Sequence, residues 1–162
     1  MKPRFYIIMG VSGCGKTAVG SALAQELGWA FFDADDFHPA VNIAKMASGI
    51  PLSDEDRLPW LDALHGLIVT ALKENQPGVL ACSALKESYR RRLLADLQDV
   101  RLIYLKGSYE IIWSRMSERT DHYMQPAMLQ SQFDILEEPA DALVMEITQS
   151  IKQIVNTIIS NN

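Results

Sequence analysis

The chain has 162 residues, of which 48% are hydrophobic and 22% are charged, and its formal net charge is −5 at pH 7. This length fits one domain and is too short for two full α/β units, and the composition lacks the polar bias of a disordered chain. The negative charge argues against a nonspecific nucleic-acid binder. No segment approaches the roughly 20 apolar residues that span a bilayer, so we expect a cytoplasmic protein without a membrane or nucleic-acid partner.

Five short apolar runs, each bounded by turn or polar residues, are typical of buried strands. They cover residues 5–11, 29–32, 79–82, 102–105 and 142–147. Apolar residues at helical spacing predict helices at residues 16–28, 39–49, 54–72, 87–97, 108–119, 127–137 and 149–159. This alternation predicts an α/β fold, in which a parallel sheet is covered by helices on both faces.

The segment GVSGCGKT, residues 10–17, matches the phosphate-binding pattern G-x-x-x-x-G-K-[ST] between a predicted strand and a predicted helix. Glycines let backbone N–H groups turn toward phosphate oxygens, and the helix start adds its positive dipole end. Lys16 would reach the β and γ phosphates, and Thr17 would hold Mg²⁺ through its hydroxyl. An ordinary glycine-rich turn is the alternative, and both flanks argue against it. The predicted nucleotide-binding residues are Gly10, Val11, Ser12, Gly13, Cys14, Gly15, Lys16, Thr17 and Ala18.

The two cysteines, Cys14 and Cys82, do not have the spacing of a metal site, and we expect reduced thiols. Cys14 lies where a helix N-terminus can lower the pKa of a thiol, so a redox-sensitive group is one interpretation. A small space-filling residue is the interpretation that we favour.

Acidic residues follow the second predicted strand, in the segment FDADDFH at residues 32–38. Ligands bind at the carboxyl edge of a parallel sheet. If strand geometry persists, Asp33 and Asp35 point the same way, which gives one carboxylate for Mg²⁺ and one to accept the proton of a substrate hydroxyl. A structural role explains the neighbours equally well, with Asp36 as a cap of the helix that Pro39 opens and His38 as a packing residue.

Basic residues appear in three later segments. Surface ion pairs explain them most simply, and we accept that explanation for Arg91 and Arg92. Arg57, Lys86 and Arg90 are instead candidates to bind a carboxylate. Arg119 precedes a helix-poor segment, which we interpret as a mobile lid at about residues 119–127 that includes His122 and Tyr123 and brings charge to the transferring phosphoryl group.

Together these residues give the chain a resemblance to the gluconate kinase (gluconokinase) family of P-loop kinases, which is related to shikimate and nucleoside monophosphate kinases. The resemblance covers nearly the whole length in GVSGCGKT, FFDADDFHP, NIAKMASGIPLSDEDRLPWL, VLACSALKESYRRRL, IYLKGSYEIIWSRM and QSQFDILEEP. It implies a three-layer P-loop kinase domain over residues 1–162, with a five-stranded parallel sheet, a substrate-binding helical insertion at about 37–75 and the lid, commonly as a homodimer. Cys14 and Ala34 depart from the family's usual residues but remove no reactive group.

The resemblance also implies roles for single residues. Lys16, Asp35 and Arg119 would be catalytic, and Thr17 and Asp33 would hold Mg²⁺. Arg115, Arg119 and the turn at Pro139 would complete the ATP site. The residues implied for the acceptor are Asp35, His38, Arg57, Ser83, Ala84, Lys86 and Arg90.

The implied reaction is the ATP-dependent phosphorylation of D-gluconate on its 6-hydroxyl. A shikimate-type or nucleoside monophosphate-type kinase is the nearest alternative, because the loop, insertion and lid are shared. A nucleotide-dependent switch is a more distant one, which the lack of an N-K-x-D sequence and the long acidic and basic insert argue against.

Overall fold

The computed structural model describes residues 2–118 and 126–161. Its strands are β1 (Phe5–Met9), β2 (Ala30–Asp33), β3 (Gly78–Ala81), β4 (Val100–Lys106) and β5 (Leu143–Glu146). All are parallel and form one sheet in the order β2-β3-β1-β4-β5. The five predicted strands are confirmed, with small shifts at their ends.

Seven α-helices and one short 3-10 turn connect these strands within the described ranges. They are α1 (Lys16–Leu27), the 3-10 turn (Ala34–Phe37), α2 (Ala40–Ala47), α3 (Asp54–Lys73), α4 (Glu87–Leu94), α5 (Tyr109–Ser117), α6 (Pro126–Ile135) and α7 (Ile151–Ser160). The helix predicted at 87–97 ends earlier, because Ala95 leaves the helical region with a φ of 46°. None of these helices is both long and apolar enough to cross a membrane.

The central strand β1 is fully buried on both faces of the sheet, which explains its uninterrupted apolar sequence. Tyr6 and Ile8 pack with residues of α1, α5, α6 and α7. Phe5, Ile7 and Met9 pack with residues of α3 and α4 on the opposite face. The strand therefore carries two separate hydrophobic layers, and the predicted three-layer α/β fold is confirmed.

The strand register brings three loops to one edge of the sheet. Met9 at the end of β1 pairs with Tyr104 of β4, and its neighbour Ile8 pairs with Ala81 of β3. Ala81 pairs in turn with Asp33 at the end of β2. The segments that follow β1, β2 and β3 therefore leave the same edge, where ligands bind in open parallel sheets.

The segment predicted as a helical insertion contains α2 and α3. A reciprocal cap starts α3: Ser53 Oγ accepts from the N–H of Asp56 at 3.0 Å, and the Asp56 carboxylate accepts from the N–H of Ser53 at 2.9 Å. Further along the helix, α3 buries Trp60 and Leu64 against the sheet. The cap and this apolar face fix the helix beside the edge at which the three loops meet.

Candidate active site

The phosphate loop at residues 10–15 joins β1 to α1, as its sequence predicts. Gly13 has a φ of 80°, and a Cβ at this position would lie 2.6 Å from Met116 Sδ. The backbone conformation therefore favours glycine, and a side chain here would also displace the Met116 side chain. Cys14 is 2% exposed, and its Sγ would lie 2.6 Å from a Cβ on Gly10. Burial raises the pKa of the Cys14 thiol, which supports the space-filling interpretation over a reactive thiolate.

The ammonium of Lys16 lies against the phosphate loop itself. Its Nζ donates to the carbonyl oxygens of Gly10 at 3.0 Å and Val11 at 3.1 Å. These acceptors are neutral, whereas a polyphosphate offers charged oxygens that form stronger hydrogen bonds. The side chain is therefore placed to exchange two weak partners for phosphate oxygens.

Thr17 and Asp33 meet where the first turn of α1 faces the end of β2. Thr17 Oγ1 donates to Asp33 Oδ2 at 3.4 Å, while Asp33 Oδ1 accepts from the N–H of Asp35 at 3.0 Å. In residues 2–118 and 126–161 no group of three or more His, Cys, Asp or Glu side chains is suited to hold a metal. One hydroxyl beside one carboxylate nevertheless fits Mg²⁺, which takes few protein ligands when it binds together with a nucleotide.

The acidic segment after β2 differs from an extended strand. The strand ends at Asp33, and the next residues form the 3-10 turn, so strand alternation does not relate Asp33 to Asp35. The two carboxylates remain close enough to interact: partial loss of water and then the negative charge of Asp33 raise the pKa of Asp35, against the effect of Lys16. The cap predicted for Asp36 is wrong, because Pro39 is the N-cap of α2 and no side chain caps it.

Arg57 and Lys86 come together around a tyrosine that the sequence analysis did not single out. Arg57 Nη1 donates to Tyr89 Oη at 3.0 Å and to the carbonyl of Leu52 at 2.9 Å. Lys86 Nζ lies 5.5 Å from the centre of the Tyr89 ring and donates to the Asp54 carboxylate at 3.1 Å. Tyr89 Oη also donates to the Asp54 carboxylate. This hydrogen bond and the one from Lys86 lower the pKa of Asp54. We call Asp54, Arg57, Lys86 and Tyr89 the α3–α4 charge cluster.

Arg90 is turned into the protein and is only 4% exposed. Its guanidinium donates to the carbonyl oxygens of Ala84 and Glu137, each at 2.7 Å. Ala84 has a φ of 45°, which is unusual for a residue with a side chain. Arg90 therefore braces the loop after β3. The carbonyl of Ser83 in the same loop accepts from the N–H of Gly10 at 3.3 Å, which joins this loop to the phosphate loop.

A cavity of about 130 Å³ lies beside the phosphate loop. Its lining residues are Gly13, Cys14, Gly15, Ala18, Val19, Arg115, Ile147, Gln149, Ile151 and Ile154. Arg115 Nη2 donates to the carbonyl of Ile147 at 2.6 Å, which holds its guanidinium at the rim.

The turn at residues 137–139 does not lie in this cavity. The N–H of Glu137 donates to the carbonyl of Leu85 at 2.8 Å, and its carboxylate accepts from the N–H of Glu87 at 2.8 Å. This turn packs against the loop before α4, and the role expected of Pro139 in the ATP site stays a prediction. Ile147 and Gln149, which follow β5, line the cavity.

Gln132 of α6 contacts the phosphate loop and was also missed by the sequence analysis. Its side chain forms hydrogen bonds with both the backbone and the hydroxyl of Ser12. The available signal was its place in QSQFDILEEP, one of the segments that carry the family resemblance. The lid residues Arg119, His122 and Tyr123 lie outside the described residues, so the predictions for them stay predictions.

Comparison with known proteins identifies the family of the chain. The family model described as shikimate kinase matches residues 12–161. The chain is 50% identical over 134 residues to the thermosensitive gluconokinase of Escherichia coli (strain K12), covering 83% of this chain and 72% of that protein. It is 46% identical over 155 residues to a probable gluconokinase of Mus musculus, covering 85% and 84%.

A solved structure gives the same result in three dimensions. The crystal structure of a gluconokinase from Sinorhizobium meliloti 1021 superposes with a TM-score of 0.86 at 38% identity, covering 98% of this chain and 90% of that one. Identity at this level over nearly the whole length accompanies the same overall fold. The chain belongs to the gluconokinase family and carries a domain of the shikimate kinase type.

Proposed function

We propose that the protein is a gluconokinase, which transfers the γ-phosphoryl group of ATP to the 6-hydroxyl of D-gluconate and gives 6-phospho-D-gluconate. The observation that carries the proposal is that one sheet edge holds a phosphate loop, an acidic pair and the α3–α4 charge cluster. A sugar acid has a carboxylate at one end and a primary alcohol at the other. Such a molecule suits a site with cations on one side and acids on the other.

The nucleotide binds along the phosphate loop in this proposal. Backbone N–H groups and Lys16 hold the β and γ phosphates, and the ammonium gives up its carbonyl partners to do so. The adenine lies in the cavity that Arg115, Ile147 and Gln149 help to line.

Magnesium accompanies the nucleotide, held on the protein side by Thr17 and Asp33. When bound, it neutralises charge that develops on the phosphate oxygens. The pair is already in contact across α1 and β2, so little rearrangement of these two side chains is needed.

The acceptor lies between Asp35 and the α3–α4 charge cluster. Arg57 and Lys86 bind the carboxylate of gluconate, and Asp35 orients the 6-hydroxyl and accepts its proton. A bond forms between the hydroxyl oxygen and the γ-phosphorus, and the bond from that phosphorus to the β–γ bridging oxygen breaks, which releases ADP. The transition state is loose, so placement and charge neutralisation contribute most of the rate. Arg119 stays the predicted lid cation.

A coupled assay of ADP release tests the proposal with D-gluconate, other aldonates, shikimate and AMP as acceptors. We expect release that requires gluconate, with phosphate on O6 of the product by ³¹P NMR. Lys16→Ala should lose about 10²–10³-fold in turnover because it removes a donor to the transferring group. Lys152→Ala, an exposed site on α7, is the matched control. Release with shikimate or AMP alone, or slow hydrolysis that no acceptor stimulates, would point to the alternative kinases or to a switch.

A homodimer stays a prediction from the resemblance, and a cytoplasmic location stays a prediction from the sequence. Light scattering after size exclusion would test the first, and a single species with the 162-residue mass would contradict it. Cell fractionation would test the second.

A further inference from the structure

His38 stands between the acidic turn and the helical insertion, with its ring orientation fixed. The imidazole stacks on Trp60, with ring centroids 4.2 Å apart and planes 11° from parallel. Trp60 is itself held, because its Nε1 donates to the carbonyl of Ala34 at 2.7 Å. The ring therefore keeps one edge toward α2, and Nδ1 lies on that edge.

The group that meets His38 Nδ1 is the side-chain amide of Asn42, which is fully buried. Asn42 Nδ2 lies 2.9 Å from the backbone carbonyl of Asp56 and 3.3 Å from His38 Nδ1. A carbonyl oxygen only accepts, so an amide nitrogen must stand at this position. The opposite amide orientation would place two acceptor oxygens 2.9 Å apart. The amide consequently has one N–H for Asp56 and one for His38, and Nδ1 of the imidazole must be the acceptor.

We propose that Asn42 holds His38 as the neutral tautomer with its proton on Nε2, so that His38 gives the acceptor subsite a hydrogen-bond donor and no base. This inference rests on the proposed function for the identity of the subsite, while the tautomer itself follows from the contacts alone. The Nε2–H of His38 can donate to an oxygen of the sugar acid or of Asp35. Asn42 is a positioning residue, since it acts through His38.

The charges around the ring agree with this form. Burial and the positive charge of Arg57 lower the pKa of His38, while Asp35 opposes them. The Asp56 carboxylate on the α3 side is occupied by Lys45 at 2.9 Å. With Nδ1 facing the Asn42 amide, Nε2 is the ring nitrogen left to carry the proton, and the negative charge of Asp35 acts on the ring in favour of an N–H. The neutral tautomer with its proton on Nε2 is therefore the form that suits both sides of the ring.

The unpaired oxygen of Asn42 is a second observation. Within the described residues, Asn42 Oδ1 is buried and has no hydrogen-bond partner. A buried acceptor without a partner is destabilising, and an apolar side chain of similar size would avoid it. An amide at this position is therefore better explained by what its nitrogen holds than by a contribution to packing.

Nitrogen NMR of ¹⁵N-histidine-labelled protein tests the inference directly, because the two ring nitrogens report the tautomer. The chain has three histidines, and the His38 signals are assigned by their loss in His38→Gln. His65 is an internal control: its Nδ1 lies 2.9 Å from the carbonyl of Leu93 and must carry the proton. We expect opposite tautomers for His38 and His65 at pH 7.5. A proton on Nδ1 of His38, or an imidazolium at this pH, would overturn the proposal.

Variants separate positioning from a purely structural role. Asn42→Ala should leave His38 as a mixture of tautomers, and Asn42→Asp should shift the proton to Nδ1; thermal melts show whether each variant folds. With gluconate, His38→Ala should raise KM about tenfold through the lost donor, and His38→Gln should recover most of this because its amide N–H replaces Nε2–H. Equal KM values for the two His38 variants would count against the donor role. If gluconate is not a substrate but the tautomer is found, the proposed function fails and the Asn42 inference stands.

Discussion

Gln132 and Ser12, 120 residues apart in the sequence, form two reciprocal hydrogen bonds. The N–H of Ser12 donates to Gln132 Oε1 at 2.7 Å, and Gln132 Nε2 donates to Ser12 Oγ at 2.8 Å. The first bond holds a backbone N–H of the phosphate loop, and the second holds the adjacent hydroxyl. Helix α6, which follows the predicted lid in the sequence, is thereby tied to the loop that holds the phosphates.

Gln132→Leu should weaken catalysis with ATP. Loss of both hydrogen bonds leaves the Ser12 end of the loop less ordered, so we expect kcat/KM for ATP to fall about tenfold, as for one or two neutral hydrogen bonds. Steady-state kinetics with ATP varied at saturating gluconate measure the effect.

Gln130→Leu is the control on the same helix, since in the part of the chain that the structure describes Gln130 bonds to the exposed side chain of Asp134 and not to the phosphate loop. In a double-mutant cycle, the combined effect of Ser12→Ala and Gln132→Leu on kcat/KM for ATP should be smaller than the sum of the two single effects. Equal kinetics for the two glutamine variants would show that the contact with Ser12 has no catalytic consequence.

The sequence predicted the parts of the site that depend on local chemistry. The phosphate loop follows from its glycines and flanks, and Thr17 and Asp33 follow from their places at a helix start and a strand end. The contacts of Gln132, Tyr89 and Asn42 were not predicted, because each joins segments whose distance apart depends on how helices pack on the sheet. The pattern of apolar residues within one segment does not indicate which side chain of a distant segment will contact it.

One expectation was wrong for a local physical reason. The relation of Asp33 to Asp35 was derived from strand alternation, but the chain turns at Ala34, and the Asp33 carboxylate accepts from the Asp35 N–H. The role of Pro139 in the ATP site stays a prediction. Arg90, buried and bonded to the Glu137 carbonyl, holds the 137–139 turn against the loop after β3, a contact that the sequence did not indicate.

Arg57→Ala should act mainly on the acceptor. The guanidinium is half-buried beside Tyr89 and Lys86, so its loss removes a cation from the proposed carboxylate site. We expect KM for gluconate to rise about 10- to 100-fold, the range for a charged hydrogen bond, with KM for ATP within about twofold. Arg92→Ala is the control, because Arg92 pairs with Asp62 on the surface at 2.8 Å. An unchanged gluconate KM in Arg57→Ala would remove Arg57 from the carboxylate site.

Arg90→Met should destabilise the fold far more than Arg91→Met on the same helix. Arg90 is 4% exposed and satisfies two backbone carbonyls, whereas the Arg91 side chain is 78% exposed. Unpaired carbonyls at Ala84 and Glu137 should lower the free energy of unfolding by about 2–4 kcal/mol, against less than about 0.5 for Arg91→Met. Urea denaturation of both variants measures the difference. Similar midpoints for the two would show that the Ala84 loop does not depend on this brace.

Cys82 should make the stability of the protein fall at alkaline pH. Burial raises the pKa of its thiol from 9.0 to about 12, so between these values the unfolded chain has lost a proton that the folded chain keeps. Unfolding is then favoured as pH rises, and well below pH 9 the thiol has no effect. From about pH 8 to 10.5, the free energy of unfolding should fall by about 1–2 kcal/mol more in the unaltered protein than in Cys82→Ala. Cys14 is present in both proteins, so its contribution to the pH dependence cancels when the two curves are compared. Urea melts across this range give the two curves, and parallel curves would mean that the Cys82 thiol ionises as easily in the fold as in the open chain.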